Sequence, residues 1–280
     1  MTGASLSSSG AAPTATYIAP GPAYGISIAN ATGPGVGNYN ITYVAGTMTL
    51  SQAPAPTVTA VNQTKQYGAV FNFLGTEFTA TGLLNADKIA SVTLTSTGAA
   101  GSATVVSPGP AYAVVPSNAT GAALGNYLPL TAANYVNGTM TLSPAPLSVN
   151  ASNLTKTYGD TYSFTGKEFT VGGPLFNGDQ VSSASISSAA AAGGALFAAP
   201  GPTYSIGISN AVGSGLGNYN ISYTGAMFTL IPRPLPVTAI GGSKIYGTVP
   251  SFAGTQGGTL GQFTVSNLVN GDTVTSVTMS

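Results

Sequence analysis

The sequence predicts an all-β fold: a tandem array of small sandwich-like or β-grasp-like repeats, elongated, with little or no helix. Three observations carry this. Apolar and polar residues alternate with a period of two in short runs. The 38 glycines and 19 prolines are so dispersed that no stretch keeps a helical period for three turns. Three separate motifs recur with one common spacing.

The first motif is Lys-x-Tyr-Gly, at Lys65–Gly68, Lys156–Gly159 and Lys244–Gly247. Its tyrosines, Tyr67, Tyr158 and Tyr246, are 158 − 67 = 91 and 246 − 158 = 88 residues apart. Gly-Asn-Tyr ends at Tyr39, Tyr127 and Tyr219, and Pro-Gly-Pro-x-Tyr ends at Tyr24, Tyr112 and Tyr204; both give spacings of 88 and 92. A unit of about 90 residues follows, large enough to bury a small core of its own. Prolines mark the joints, at Pro54 and Pro56, Pro144 and Pro146, and Pro232, Pro234 and Pro236. Such Pro-x-Pro segments predict short, semi-rigid polyproline spacers. The organisation predicted is the C-terminal part of one repeat over 1–53, complete repeats over 54–144 and 145–233, and the N-terminal part of another over 234–280. The repeat-defining structural residues are Tyr67, Gly68, Tyr158, Gly159, Tyr246, Gly247, Tyr39, Tyr127 and Tyr219. The chain begins and ends at the same phase of the repeat, so its two partial units are expected either to fray or to associate head to tail.

Within a unit, Tyr24–Ile28, Tyr39–Tyr43, Tyr204–Ile208 and Tyr219–Tyr223 alternate as half-buried strands do, and so do the unit starts at Leu147–Val149 and Pro236–Thr238. Tyr135–Leu142 reads as strand, Asn137-Gly138 turn and strand, a hairpin signal. The second unit carries four extra residues after Tyr127, around Pro129, which predicts a bulge or longer loop.

Composition excludes several functions. Charged residues are 4% of the chain, against about 25% in ordinary soluble proteins. Six basic and six acidic residues cancel, so there is no cluster to neutralise nucleic-acid phosphates or anionic lipid. Cys and His are absent, which removes disulfides, thiolate nucleophiles, the commonest general base and the commonest metal ligands. Residues 1–5 do not read as a signal peptide. The apolar run Ala189–Ala199 is too short to span a bilayer and reads as an alanine-rich loop or strand.

The order Leu/Pro-x-Val, Lys-x-Tyr-Gly, Glu-Phe-Thr, Asn-Gly-Asp, Gly-Asn-Tyr-Asn-Ile, Gly-Thr-Met-Thr-Leu resembles the MBG and YDG repeat domains of bacterial adhesins, which occur in filamentous-haemagglutinin-like and autotransporter-like surface proteins. The resemblance implies a secreted or cell-surface array whose role is spacing or adhesion, with a host or environmental glycan or protein as its partner. It implies no catalytic residues, no cofactor and no metal. An Asp follows the Tyr-Gly pair only at Asp160.

The acids weigh against catalysis. Glu77 and Glu168 align with each other, but Gln262 takes their place in the last unit, and an amide cannot transfer a proton. Asp87, Asp179 and Asp272 align in Asn-Ala-Asp or Asn-Gly-Asp, a turn signature in which the Asp side chain binds nearby backbone N–H groups. Calcium is the alternative there, but it wants six to eight oxygens with several carboxylates. The motif lysine is expected to pair with an acid of its own unit, Lys156 with Glu168. Tyr39, Tyr127 and Tyr219 are expected to fill the core with tethered hydroxyls; exposed on one face, with asparagines, they would instead suit carbohydrate or receptor binding.

Overall fold

Alternation becomes strand wherever the inward positions find a second sheet to meet. In the computed structural model, which describes residues 1–249 and 262–278, the chain divides into two units, Met1–Ala145 and Pro146–Ser280.

The first unit opens with β1 (Gly3–Ser7), β2 (Ala23–Thr32) and β3 (Gly46–Thr49), an antiparallel sheet in the order β1-β2-β3. There follow β4 (Thr57–Ala60), β5 (Gln63–Gln66), β6 (Phe78–Thr81), β7 (Ser91–Thr95), β8 (Ala111–Thr120), β9 (Tyr135–Val136) and β10 (Gly138–Ser143). They form two sheets, β5-β10-β8-β7 and β6-β4-β9. Along β8 the buried residues are Tyr112, Val114 and Pro116, and along β10 they are Gly138, Met140 and Leu142. Of these, Tyr112, Val114, Met140 and Leu142 meet Val58 and Ala60 of β4 and Val92 and Leu94 of β7 in a single cluster. Two sheets therefore close on one core, a sandwich-like arrangement. Val58, Val114 and Met140 are fully buried there. Truncating Met140 to Ala would cost about 2–5 kcal/mol, the range for a buried side chain whose site collapses only partly.

The second unit repeats the plan with β11 (Ala145–Ala151), β12 (Leu154–Thr157), β13 (Phe169–Gly172), β14 (Gln180–Ser187), β15 (Thr203–Ser214), β16 (Tyr219–Thr224) and β17 (Ala226–Ile231). Its sheets are β12-β17-β15-β14 and β13-β11-β16. Ile206, Phe228 and Leu230 form the centre, with Tyr162 edge-on to Phe228 at 5.3 Å between ring centroids. Beyond it β18 (Val237–Ala239) and β19 (Phe263–Val265) pair antiparallel. The described residues contain no α-helix, only single 3₁₀ turns of three residues. One of these, Ala189–Ala191, opens the alanine-rich run.

Three expectations are corrected. Asn137-Gly138 is not a hairpin turn. β9 pairs parallel with β4 in one sheet, while β10 pairs with β5 and β8 in the other. Asn137 is a one-residue crossover between sheets, and Gly138 lies inside β10 opposite Val114. The proline joint at 144–146 is not a separate spacer. Only Pro144 stands between β10 and β11, and Pro146 is already within β11, ahead of Ser148 where pairing with β13 begins. On the β13 side Pro146 precedes the ladder, so no N–H is demanded of it there. Tyr39–Tyr43 forms no strand, unlike β16 at the same phase. β16 is held in its sheet by β11.

Candidate functional site

The recurring motifs converge on a set of tethers. In the Lys-x-Tyr-Gly motif the lysine is buried, Lys65 at 9% and Lys156 at 8% exposure. Lys65 Nζ donates to the carbonyl oxygens of Ala69 at 2.6 Å, Ala99 at 3.4 Å and Ala100. Lys156 Nζ donates to those of Asp160 at 2.6 Å, Ala191 at 3.4 Å and Ala192 at 2.6 Å. Three carbonyls thus replace water around an ammonium that has three N–H donors to give. Burial lowers the pKa of both lysines from the ordinary value; at Lys156 the Asp160 charge works in the opposite direction.

The expected Lys156–Glu168 pair is not formed. Glu168 is satisfied elsewhere: it accepts from the backbone N–H of Thr165 at 2.8 Å, Gly166 at 3.0 Å and Lys167 at 3.1 Å, and from Thr165 Oγ1 at 2.7 Å. Burial opposes its charge, but these donors outweigh burial and hold the pKa at about 2. Glu77 does the same with Leu74, Gly75 and Thr76, and its pKa is lowered for the same balance of reasons.

The Tyr-Gly pair makes a turn. Ala69 N–H donates to Gln66 O at 3.2 Å and Asp160 N–H to Thr157 O at 3.1 Å, with Gly68 and Gly159 at φ of 84° and 88°. Positive φ at the third residue of a turn is where glycine is demanded. The tyrosine N–H then reaches the last strand of its repeat, Tyr67 to Ser143 O and Tyr158 to Ile231 O, both at 2.9 Å. Tyr67 is buried at 2%, and Tyr158 donates its hydroxyl to Asp272 Oδ2 at 3.0 Å. Tyr246 is fully exposed.

The Gly-Asn-Tyr tyrosines close a second tether. Tyr127 and Tyr219 are buried at 2% and 7%. Their hydroxyls donate to Asp87 Oδ2 at 2.8 Å and Asp179 Oδ2 at 2.9 Å and accept from the N–H of Leu84 and Phe176. Burial and the nearby Asp87 charge raise the Tyr127 pKa against the Leu84 N–H, which lowers it. The Asn-x-Asp segments are turns as expected, with Asn85, Asn177 and Asn270 at positive φ. The missed element is a partner of the Asp side chain, a tyrosine forty residues on in both repeats. The identical spacing, 127 − 87 and 219 − 179, was the available signal. Tyr39 is 76% exposed.

Two further tyrosine tethers had no motif to announce their partners. Tyr112 donates its hydroxyl to Thr104 O at 2.8 Å and accepts from Thr104 N–H at 3.0 Å, and Tyr24 and Tyr204 do the same with Thr16 and Leu196. The two prolines before each are cis. The glycine between them is required, since a Cβ on Gly109 would overlap Thr104 O. Tyr43, Tyr135 and Tyr223 accept from the N–H of Ala31, Ala119 and Ala211, each at 2.9 Å. The four-residue insertion lengthens the Ala119–Tyr135 separation to 16, against 12 in the other two, yet the bond is kept.

This geometry defines a class: a tandem all-β repeat whose recurring polar residues bind its own backbone. The chain belongs to the MBG domain family of the YGX type, whose family model matches residues 57–141 and 147–229. Tyr67-Gly68-Ala69 and Tyr158-Gly159-Asp160 are the Tyr-Gly-x segments inside those matches. A search of curated proteins finds no match. Among the described residues no group of three or more acids could hold a metal ion, and no helix is long and apolar enough to cross a membrane.

Proposed function

We propose that this chain is a structural spacer, with an adhesive contribution along its length, in a large secreted or cell-surface bacterial adhesin, and that it has no catalytic role. The observation that carries the reading is the fate of the recurring polar groups. The motif lysines, the Gly-Asn-Tyr tyrosines and the aligned acids of the complete repeats are spent on intramolecular bonds, so what the repeat preserves is its own fold. Membership in the MBG family supports the extracellular setting. Antibodies raised against residues 54–233 test it: they should label intact producing cells or the secreted fraction. Label confined to permeabilised cells would refute the surface setting.

A second reading, recognition of a host or environmental glycan or protein, is favoured by one feature. The insertion of the first complete repeat borders a groove of about 850 Å³ lined by Pro116, Asn118, Leu130, Tyr135 and Asn137. A glycan array probed with the chain and with Asn137→Ala separates the readings. Binding lost in the variant would favour recognition, and no binding would favour the spacer.

A further inference from the structure

We infer that each complete repeat is a tension-bearing element, closed by a shear clamp between its second and last strands. The inference builds on the spacer reading, since a spacer between a surface and a bound object carries load.

In the first complete repeat, β5 and β10 are parallel, in register from Gln63↔Met140 to Gln66↔Ser143. Tyr67 N–H adds a bond to Ser143 O at 2.9 Å. The chain therefore enters this pair at the Gln63 end and leaves it at the Ser143 end, the opposite one. A pull on the flanking chain must slide one strand along the other, so the ladder bonds are loaded together rather than in turn. β4 and β9 form a second parallel pair in the other sheet, Val58↔Tyr135 and Thr59↔Val136. The second repeat has the same device with other residues: β12 and β17 run parallel from Leu154↔Phe228 to Thr157↔Ile231, and Tyr158 N–H reaches Ile231 O. The clamp is also held from the side. Met140, Leu142, Phe228 and Leu230 on the last strands are buried at 2% or less, and Lys65 and Lys156 pin β5 and β12 to a distant loop through their carbonyl cages. Pulled at their open ends, the antiparallel pairs would separate one bond at a time. Gln180↔Ser214 marks such an end of β14 and β15, and Ser91↔Thr120 that of β7 and β8.

The test is single-molecule pulling of the full chain through handles at its two termini. The natural chain has no Cys, so the doubly substituted chain Gln180→Cys/Ser214→Cys offers unique handles for unzipping the β14–β15 end; both positions are exposed. Ser91→Cys/Thr120→Cys repeats the comparison in the other repeat, and circular dichroism confirms that each variant is folded. At equal loading rate the terminal pull should need roughly threefold or more the unzipping force, with two events, because forced unfolding reports the barrier along the pulled coordinate. Lys156→Met should lower the terminal force of one event and leave the unzipping force of β14–β15 unchanged. Equal forces in the two geometries would overturn the clamp even if antibodies find the chain at the surface. A high terminal force with no surface label would keep the clamp and sink the spacer.

Discussion

Residues 245–248 and 66–69 carry the same motif and end differently. Both close the same turn: Thr248 N–H donates to Ile245 O at 3.2 Å with Gly247 at φ 83°, as Ala69 does to Gln66 with Gly68 at 84°. Yet Tyr67 is 2% exposed and Tyr246 fully exposed, and Lys65 is caged while Lys244 is exposed. The turn is local chemistry, written in four residues. Burial of Tyr67 is contributed by β10, more than seventy residues on. Tyr127 and Tyr39 make the same contrast from the other side, with the Leu84–Asp87 turn as the contributing element.

The largest effect expected is on that tyrosine. Tyr127→Ala should cost its repeat about 3–5 kcal/mol, the range for losing a buried aromatic. Tyr39→Ala should change stability by less than about 0.5 kcal/mol, as surface substitutions do. Hydrogen exchange resolved by repeat measures both, since sub-global opening is read segment by segment. Equal losses of protection in the two variants would break the comparison.

Lysine comes next. Lys65→Met keeps the aliphatic length but takes the ammonium from the carbonyls of Ala69, Ala99 and Ala100, of which Ala99 and Ala100 keep the N–H of Phe71 and Ala103. A cost of about 1.5–3 kcal/mol follows for bonds to a charged group. Lys244→Met should be silent. A urea series on the chain and the two variants decides it, and a silent Lys65→Met would show that water replaces the ammonium without loss.

How much of this was legible in sequence depends on range. The strands of β2, β11 and β16, the absence of α-helix among the described residues and the Asn-x-Asp turns follow from patterns a few residues long. The Asn137-Gly138 reading failed because a hairpin signal is blind to which sheet each strand joins, and Asn137 passes the chain from one to the other. The Lys156–Glu168 pairing failed because charge complementarity says nothing of backbone groups. Carbonyls, one of them 36 residues on, satisfied the lysine, and the N–H groups just before Glu168 satisfied the acid. The Tyr–Asp tether was visible only as a repeated spacing of forty residues.

Asp87→Asn probes that tether more gently. The amide oxygen still accepts from Tyr127, but without charge, so a loss of about 0.5–1.5 kcal/mol is expected in the 54–144 repeat. Asp272→Asn, whose partner Tyr158 sits outside any closed core, should change melting less. A larger effect at Asp272 than at Asp87 would mean that the tether is not what holds the Tyr127 side of the repeat.

The effect that depends most on acid is at the position shared by Glu168 and Gln262. Glu168 is held at about 2 by the N–H groups of Thr165, Gly166 and Lys167. In the unfolded chain a Glu titrates near 4.3. A carboxylate whose folded pKa is depressed contributes stability that is complete above the unfolded value. That contribution is lost as pH falls from about 4 toward 2, where the folded form also takes up its proton. The melting temperature of the 145–233 repeat should therefore be level down to about pH 4.5 and decline below it. Glu168→Gln, which installs the residue found at 262, should flatten that decline, with its deficit in melting temperature largest near neutral pH and shrinking as the parent takes up its proton; the amide oxygen still accepts some of the same bonds. Glu77, lowered by the same kind of donors, gives the other complete repeat its own acid-sensitive step, and that step should persist in the Glu168→Gln chain. Calorimetry between pH 2 and pH 7 reads both steps. An acid transition unchanged by Glu168→Gln would show that another group sets it, and the backbone N–H cradle would then be geometry without energetic consequence.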